Sequence, residues 1–581
     1  MLRFYKVSIA PNDCIYKRTR FFLEFNALIG YTEDVNKLRK GQSNDSEKAK
    51  KKEDAMSVRG IHTDVTDMRE KIFTEVARLA YEGGDYSRLE ELPYKIVPGE
   101  LASFRESVFT ERAIVGERLR LAIGLPNRTL AEHAPVADGV NESAITERYY
   151  EPPLINIIKF ACHKCLDNQT VVTNVCQGCT AHPCEEVCPK GAVVVKQGGK
   201  SKIDPEKCIN CGRCRDACPY GAIVKMERPC AKACGMHAIH SDEYGRADIN
   251  YDKCVSCGMC LVNCPFGAIA DKGQIFQTIL AMKAGTRVYA AVAPAFIGQF
   301  GPKLTPERFR AAMKELGFAD VVEVAAGADL CTIQEAKDFL DEVPEKIPFM
   351  GTSCCPSWSV MAKTEFPKYA NCISMALTPM VFTGRMIKKA DPGCKVAFIG
   401  PCAAKKLEAS RRSVRSDVDF VLTFEEVMGM FEAKGVSFDD IQAGDPLHHA
   451  SGDGRNFAVA GGVANAVVNA IHQIDPDREV NVVCAQGLDE CRKMMQMAKA
   501  GKYNGYLLEG MACPGGCVGG AGTIQPIKKS AANVAMNKKN APFPSATQSE
   551  YKQMLEFLEE RDAKAPAVEA ADAVEQEKKP E

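Results

Sequence analysis

The sequence predicts an α/β block with parallel sheets over its second half, preceded by a cysteine-rich α+β segment and a small helical region. Three observations carry this. Sixteen of the 27 cysteines fall between Cys162 and Cys264. After Gln274, strand-like runs such as VYAAVAPAF, DVVEVA, IPFMGTS, KVAFIGP, DFVLTF and FAVAGG alternate with helical stretches such as PERFRAAMKELG and TIQEAKDFLDEV, the pattern of parallel sheets. Before the cysteines, two stretches place apolar residues at helical spacing.

The elements follow in order. Residues 1–55 are polar and end in the charge run GQSNDSEKAKKKEDA, so a disordered extension is expected. Residues 56–155 form the helical region. Met68, Ile72, Val76 and Leu79 share one helix face behind a Thr or Asp cap, and RESVFTERAIVGERLRLAIGL reads as a second amphipathic helix closed by Gly. The cysteine-rich segment covers 156–273, too punctuated by Gly and Pro for an ordinary core. The α/β block covers 274–535. A helix at 549–561 and a disordered tail complete residues 536–581.

At 581 residues the chain can hold several domains. Its net charge of −1 gives no steering toward nucleic acid. No apolar run is long enough to span a bilayer, and no secretory or twin-arginine signal is present, so a cytoplasmic protein is expected. Cysteines clustered in such a chain argue for metal ligation by thiolates over disulfides.

Cys208, Cys211, Cys214, Cys218 and Pro219 spell C-x2-C-x2-C-x3-C-P, and Cys254, Cys257, Cys260, Cys264 and Pro265 repeat it. Three close thiolates wrap one cubane while the fourth ligates the other cluster of a two-cluster unit. Zinc sites instead come as separated pairs. Cys176, Cys179, Cys184 and Cys188 carry the same pattern with two extra residues. The expected sets are Cys176, Cys179, Cys184 with Cys218, and Cys208, Cys211, Cys214 with Cys188. Upstream of the last run, Cys230 and Cys234 match the end of a repeat whose first two cysteines are missing. Cys234 completes the set of Cys254, Cys257 and Cys260, which leaves Cys230 and Cys264 to join Cys162 and Cys165. Sixteen cysteines then make four [4Fe-4S] sets in a ferredoxin-like domain; a zinc knuckle at Cys162 and Cys165, helped by His163, is the alternative. Four clusters make a wire for single electrons, which calls for a redox reaction at one end.

Three further motifs follow strand-like runs: TSCCPSW at 352–358, GPCAAKKLE at 400–408 and EGMACPGGCVGGAG at 509–522. Loops at the carboxyl ends of parallel strands are where such folds place their sites. In order and spacing these motifs resemble the three signatures of the [FeFe]-hydrogenases, over roughly residues 56–535. The resemblance implies an α/β catalytic domain with parallel sheets in two lobes. It implies an H-cluster: a [4Fe-4S] cubane joined to a two-iron centre carrying CO, CN⁻ and a bridging dithiolate amine. Cys355, Cys402, Cys513 and Cys517 are the implied cubane ligands, with Cys517 shared. Cys354 matches the proton donor and acceptor, Lys405 the cyanide-holding lysine, Met511 the methionine on the two-iron centre, and Ala293 and Pro294 the backbone facing a cyanide. Glu335 and Ser374 match the proton relay, and Asp338 takes the place of a second acid. Ser357, Gly400, Ala521 and Met380 depart from the commonest pattern without removing a ligand. The implied activity is reversible reduction of protons to H2 by a monomer. Electrons come from ferredoxin or a similar one-electron carrier, and maturation proteins supply the two-iron centre. An iron–sulfur scaffold of hydrogenase-like fold and a hydrogen sensor are the rivals; joint retention of Cys354, Lys405 and Met511 speaks against a scaffold. Cys14, Cys331, Cys372, Cys394, Cys484 and Cys491 fit no ligand spacing and read mostly as inert thiols. His448 and His449 read as surface residues, and Trp358 as packing under its loop.

Overall fold

A computed structural model describes residues 60–146, 150–195, 199–447 and 449–555. The expected extension 1–55, Cys14, His448 and the tail lie outside the described residues.

Thr63 starts the first helix, α1 (Asp64–Glu82), through a reciprocal cap: the Thr66 N–H donates to Thr63 Oγ1 at 3.3 Å, and the Thr63 N–H donates to Thr66 Oγ1 at 2.7 Å. Met68, Ile72, Val76 and Leu79 are all buried. They face the helix Phe424–Lys434 of the α/β block, where a side chain at Gly429 would come within 2.6 Å of Phe73 Cβ. The second helix, α2 (Val108–Ala122), is not amphipathic as expected: Glu111, Glu117, Arg118 and Arg120 are buried with its apolar residues. Each charge has an internal task instead. Glu111 accepts the N–H groups of Ser103 and Arg105, both at 2.7 Å, and Glu117 pairs with Arg128.

Eight short strands build the cysteine-rich domain: β1 (Ile155–Ile157), β2 (Gln169–Val172), β3 (Val193–Val195), β4 (Ser201–Ile203), β5 (Ile223–Met226), β6 (Ile239–Ser241), β7 (Ala247–Ile249) and β8 (Ile269–Asp271). They pair antiparallel as β1–β8, β2–β5, β3–β4 and β6–β7. One unit, closed by β2 and β5, therefore sits inside the connection of another, closed by β1 and β8. This nesting accounts for the truncated repeat: Cys162 and Cys165 are its missing first pair, separated from Cys230 and Cys234 by the inserted unit.

The α/β block holds β9 (Val288–Val292), β10 (Asp320–Glu323), β11 (Met350–Gly351), β12 (Lys395–Gly400), β13 (Phe420–Thr423), β14 (Asn481–Gln486) and β15 (Tyr506–Met511). They form two parallel sheets, β10-β9-β12-β13 and β11-β15-β14, one in each lobe. Apart from Tyr289 in β9 and Lys395 in β12, these two strands are buried throughout, as expected where helices cover both faces. FAVAGG is not a strand. It is the turn between the helices Gly452–Asn456 and Gly462–Ile474, fixed by Glu509, whose carboxylate accepts from Gly461 N at 2.6 Å and Ala464 N at 2.7 Å. A short apolar run cannot by itself distinguish the two cases. The helix Ile527–Lys539 runs through residue 535, and the chain beyond packs back, Gly452 N donating to the Phe543 carbonyl at 2.9 Å. Within the expected helix 549–561, the described part opens as a 3-10 turn, Glu550–Gln553, capped by Ser549, and is α-helical at residues 554–555. Among the described residues no helix is long and apolar enough to cross a membrane.

Candidate functional site

The three motifs leave the carboxyl ends of β11, β12 and β15, and backbone contacts lock them together. Ala512 N donates to Cys355 Sγ at 3.5 Å, joining the first motif to the third, and Gly522 N donates to the Pro401 carbonyl at 2.8 Å, joining the second to the third. Gly520 must be glycine here, since a Cβ would stand 2.4 Å from the Pro401 oxygen. Cys355, Cys402 and Cys517 are close enough to influence one another. Burial, then the neighbouring thiol of Cys355, pushes Cys402 up to about 11, and Cys517 rises through burial, Cys402 and Cys355. Cys513 packs on the accessory side, with Cys257, Cys260, Ala403 and Ala521. Buried thiols that raise one another fit a polycationic iron core, which compensates their charge as thiolates.

Cys354 packs with Cys355 against Met511, Phe457 and Val463. Burial pushes its thiol well above the ordinary range, with the Glu335 carboxylate adding to the effect. Glu335 lies on α3 (Val324–Glu342) and is fully buried. Its Oε1 accepts from Ser353 N at 2.7 Å and Ser353 Oγ at 3.0 Å, while Oε2 has no hydrogen-bond partner. Burial raises this carboxyl to about 7 against those hydrogen bonds. Ser374 and Asp338 line one cavity with Gln334, Glu342 and Met375, of about 470 Å³. Asp338 accepts from Gln334 Nε2 at 2.9 Å. Cys331, one turn before Glu335 and fully buried, also touches this site electrostatically: burial and Glu335 raise its thiol. Spacing alone did not single it out.

Lys405, on α4 (Ala404–Ser410), is buried and donates to Glu408 Oε2 at 2.6 Å; burial opposes its charge, but Glu408 raises its pKa above the ordinary lysine value. Ala293 N donates to the Ile399 carbonyl at 2.8 Å, which sets Ala293 and Pro294 beside the second motif. The departures have physical reasons. A side chain at Gly400 would meet the Phe398 ring at 2.5 Å and Ala293 Cβ at 3.0 Å, and Met380 is buried in the same apolar cluster as Ala293 and Phe398. Ser357 Oγ donates to the Val255 carbonyl, inside the Cys254–Cys257 loop, at 3.1 Å. Trp358 packs under its loop, donating to the Thr352 carbonyl at 3.0 Å.

The accessory cysteines gather in the expected sets. Cys162, Cys165, Cys230 and Cys264 line one small cavity, Cys188, Cys208, Cys211 and Cys214 a second, and Cys176, Cys179, Cys184 and Cys218 a third. Cys234, Cys254, Cys257 and Cys260 interact mutually, and burial raises Cys257 to about 12. The backbone repeats too. In all four C-x2-C loops the residue before the second cysteine is left-handed: Lys164, Gly178, Asn210 and Ser256, with φ of 52°, 62°, 54° and 53°. Three residues after each closing cysteine the same holds for Gly191, Gly221, His237 and Gly267, so the Cys162 loop is built like its three counterparts. His163 stacks on Phe266 at 4.2 Å between ring centres. Cys257 also feels Cys402, and a side chain at Gly258 would reach Ala521 Cβ at 2.5 Å and Ala403 Cβ at 3.2 Å. The last accessory loop thus abuts the three cysteine motifs of the α/β block.

Residues 286–521 match the family described as iron only hydrogenase large subunit, C-terminal domain; residues 201–224 match a 4Fe-4S binding domain and 224–275 the LdpA Fe-S cluster-binding domain. The chain is 27% identical over 364 residues to an NADP-reducing hydrogenase subunit of Solidesulfovibrio fructosivorans, covering 54% of this chain and 55% of that protein. It is 28% identical over 278 residues to a probable cytosolic Fe-S cluster assembly factor of Aedes aegypti, covering 39% and 58%. A solved [FeFe]-hydrogenase structure aligns with a TM-score of 0.40 at 20% identity, covering 46% of this chain and 89% of that one. The chain spans little more than half the length of these curated relatives. The part of the chain that matches the iron-only hydrogenase domain model is preceded by parts that match iron–sulfur binding domains.

Proposed function

We propose that the chain is an [FeFe]-hydrogenase, interconverting protons, electrons and H2, with a ferredoxin-class one-electron carrier feeding four accessory [4Fe-4S] clusters. The observation that carries this reading is the buried carboxyl of Glu335, poised near neutrality beside Cys354. A metal scaffold has no use for such an acid next to its thiols. Cys355, Cys402, Cys513 and Cys517 would hold the cubane, Cys517 would be shared with the two-iron centre, and Lys405, Met511, Ala293 and Pro294 would surround that centre. When bound, the two-iron centre supplies the hydrogen-activating chemistry.

This chain's residues then handle the proton. The Cys354 thiol keeps its proton at neutral pH, since burial and the Glu335 charge disfavour the thiolate. Glu335 Oε1 is anchored by Ser353 and the carboxyl also interacts with the Ser374 side chain, so Oε2 is the oxygen left to exchange a proton with Cys354 Sγ. Ser374 can pass it on by accepting one proton while donating another, and Asp338 lines the same cavity.

The relative named as an assembly factor favours a second reading, a cluster-binding scaffold without the two-iron centre. Infrared spectra of the matured protein decide between them. Bands from metal-bound CO and CN⁻ are expected; their absence from protein whose cubanes are intact would leave the scaffold.

A further inference from the structure

The four accessory sites differ in charge. The one lined by Cys162, Cys165, Cys230 and Cys264 is wrapped by three arginines. Arg228, 3% exposed, lines the cavity itself and donates through Nη2 to the Cys165 carbonyl at 3.0 Å, Ser241 Oγ at 3.1 Å and the Gly245 carbonyl at 3.1 Å. Arg118, 5% exposed, reaches from α2 to the Gly267 and Ile269 carbonyls, with its buried Nε bonded to nothing. Arg105 donates to the Ala161 carbonyl at 2.9 Å and the Phe266 carbonyl at 2.7 Å, the neighbours of Cys162 and of the Cys264 loop. Among the described residues none of these guanidiniums forms an ion pair with a carboxylate; their acceptors are carbonyls and one hydroxyl. Of the other two cavities, one has exposed Lys190 as its one charged side chain besides cysteine and the other has none. The thiols around Cys257 feel chiefly burial and one another.

Reducing a thiolate-ligated cubane adds one negative charge to a group that is already anionic. Buried cations favour the reduced form, whereas exposed ones are screened; the carboxylates of Asp271 and Glu425 act on Arg118 without pairing with it and offset part of its charge. N–H groups aimed at the sulfurs act in the same direction but do not separate the sites: Ala247 N reaches Cys162 Sγ at 3.3 Å and Ala268 N reaches Cys264 Sγ at 3.4 Å, while Ala192 N reaches Cys188 Sγ at 3.2 Å and Ala238 N reaches Cys234 Sγ at 3.3 Å, so the arginines make the difference.

We propose that the cluster held by Cys162, Cys165, Cys230 and Cys264 is the most easily reduced of the four accessory clusters, an electron reservoir next to the set that abuts the catalytic motifs. It rests on the cluster assignment of the proposed function and not on the hydrogen chemistry. One electron from a low-potential one-electron carrier takes the core from 2+ to 1+, with no bond or proton moved. The same electron leaves to the neighbouring set when a second arrives, which suits a two-electron product fed one electron at a time.

The test is a potentiometric titration, followed by electron paramagnetic resonance, of the anaerobically reconstituted full chain; the two-iron centre is not needed. One signal should develop at higher potential than the rest, and Cys162→Ser should abolish or alter that signal alone. Arg118→Gln should lower its reduced-to-oxidised ratio at fixed potential about tenfold, a shift of about 59 mV for a one-electron couple, and Arg118→Lys should hold it near the wild-type value. If Cys162→Ser loses iron while the highest-potential signal survives, or if Arg118→Gln binds its clusters and leaves that signal unmoved, the proposal is overturned. Should Arg118→Gln fail to fold, the comparison of wild type with Cys162→Ser still decides. Cys162→Ser with unchanged iron would remove the fourth cluster itself, whereas missing CO and CN⁻ bands would defeat only the hydrogenase reading.

Discussion

In the proposed reaction, Cys354 and Glu335 would divide the proton chemistry between a thiol that resists ionisation and an acid balanced near pH 7. Cys354→Ala should leave the cubane assembled, since its four expected thiolates remain, yet lower hydrogen evolution about 10²- to 10⁴-fold, because a methyl group cannot carry a proton. Cys354→Asp should recover part of it. Native infrared bands together with most of the rate in the alanine variant would mean that protons travel elsewhere. Glu335→Gln should be slow for the same reason and should also change the pH dependence of stability. With the folded pKa raised to about 7, the unfolded chain releases this proton first as pH rises from 4.5. Glu335 therefore costs the folded state nothing below that pH and on the order of 3 kcal/mol above pH 7. The glutamine variant should gain stability relative to wild type between pH 5 and 8, read as the difference in unfolding midpoint; a flat difference would refute the shifted pKa. Most of this site was legible because ligand spacing and motif order are local in sequence. Cys331 was not, since only its place one helical turn before Glu335, in a fold that buries that face, gives it a role.

At the level of elements, the cluster loops impose one backbone shape on four different sequences. Lys164, Asn210 and Ser256 adopt the left-handed conformation that Gly178 takes freely, and His237 does so where three sister loops have glycine. Such strain persists only where the surroundings over-determine it. Spacing revealed the cysteines, but the loop geometry that makes Cys162–Cys165 equivalent to the others needed the structure. The same holds for FAVAGG, whose fate was settled by Glu509, a residue nearly fifty positions away. The loop that abuts the catalytic motifs yields a further prediction. Gly258→Ala adds a Cβ at a positive φ of 78° and 2.5 Å from Ala521 Cβ, which should destabilise the chain by about 1–3 kcal/mol. Ala521→Gly in the same chain should restore part of that loss. Strict additivity of the two changes in denaturant unfolding would show that the domains do not meet there.

Across the whole molecule, the proposed four accessory cubanes and six-iron centre would require about 22 iron atoms per chain. Iron analysis of fully matured protein checks this, and a clearly lower content with Cys162→Ser unchanged would strike out one cluster. The two-lobed α/β plan was legible in the alternation of strand and helix, while the nesting of the ferredoxin-like units was hidden because insertion breaks a repeat without changing its parts. That nesting makes the length of the wire adjustable. The inserted unit enters and leaves through neighbouring strands, Gln169 opposite Met226, and Arg228 N bonds to Asp167 Oδ1 at 3.3 Å across its neck. Replacing residues 168–227 by a tight turn should therefore release the inner pair of clusters as one cassette, leaving about 14 iron atoms and an unaltered junction with the catalytic lobes. Two of the four proposed clusters can thus be exchanged, gained or lost as a single module through one narrow neck, while the contact between the last accessory loop and the three cysteine motifs of the α/β block stays as it is.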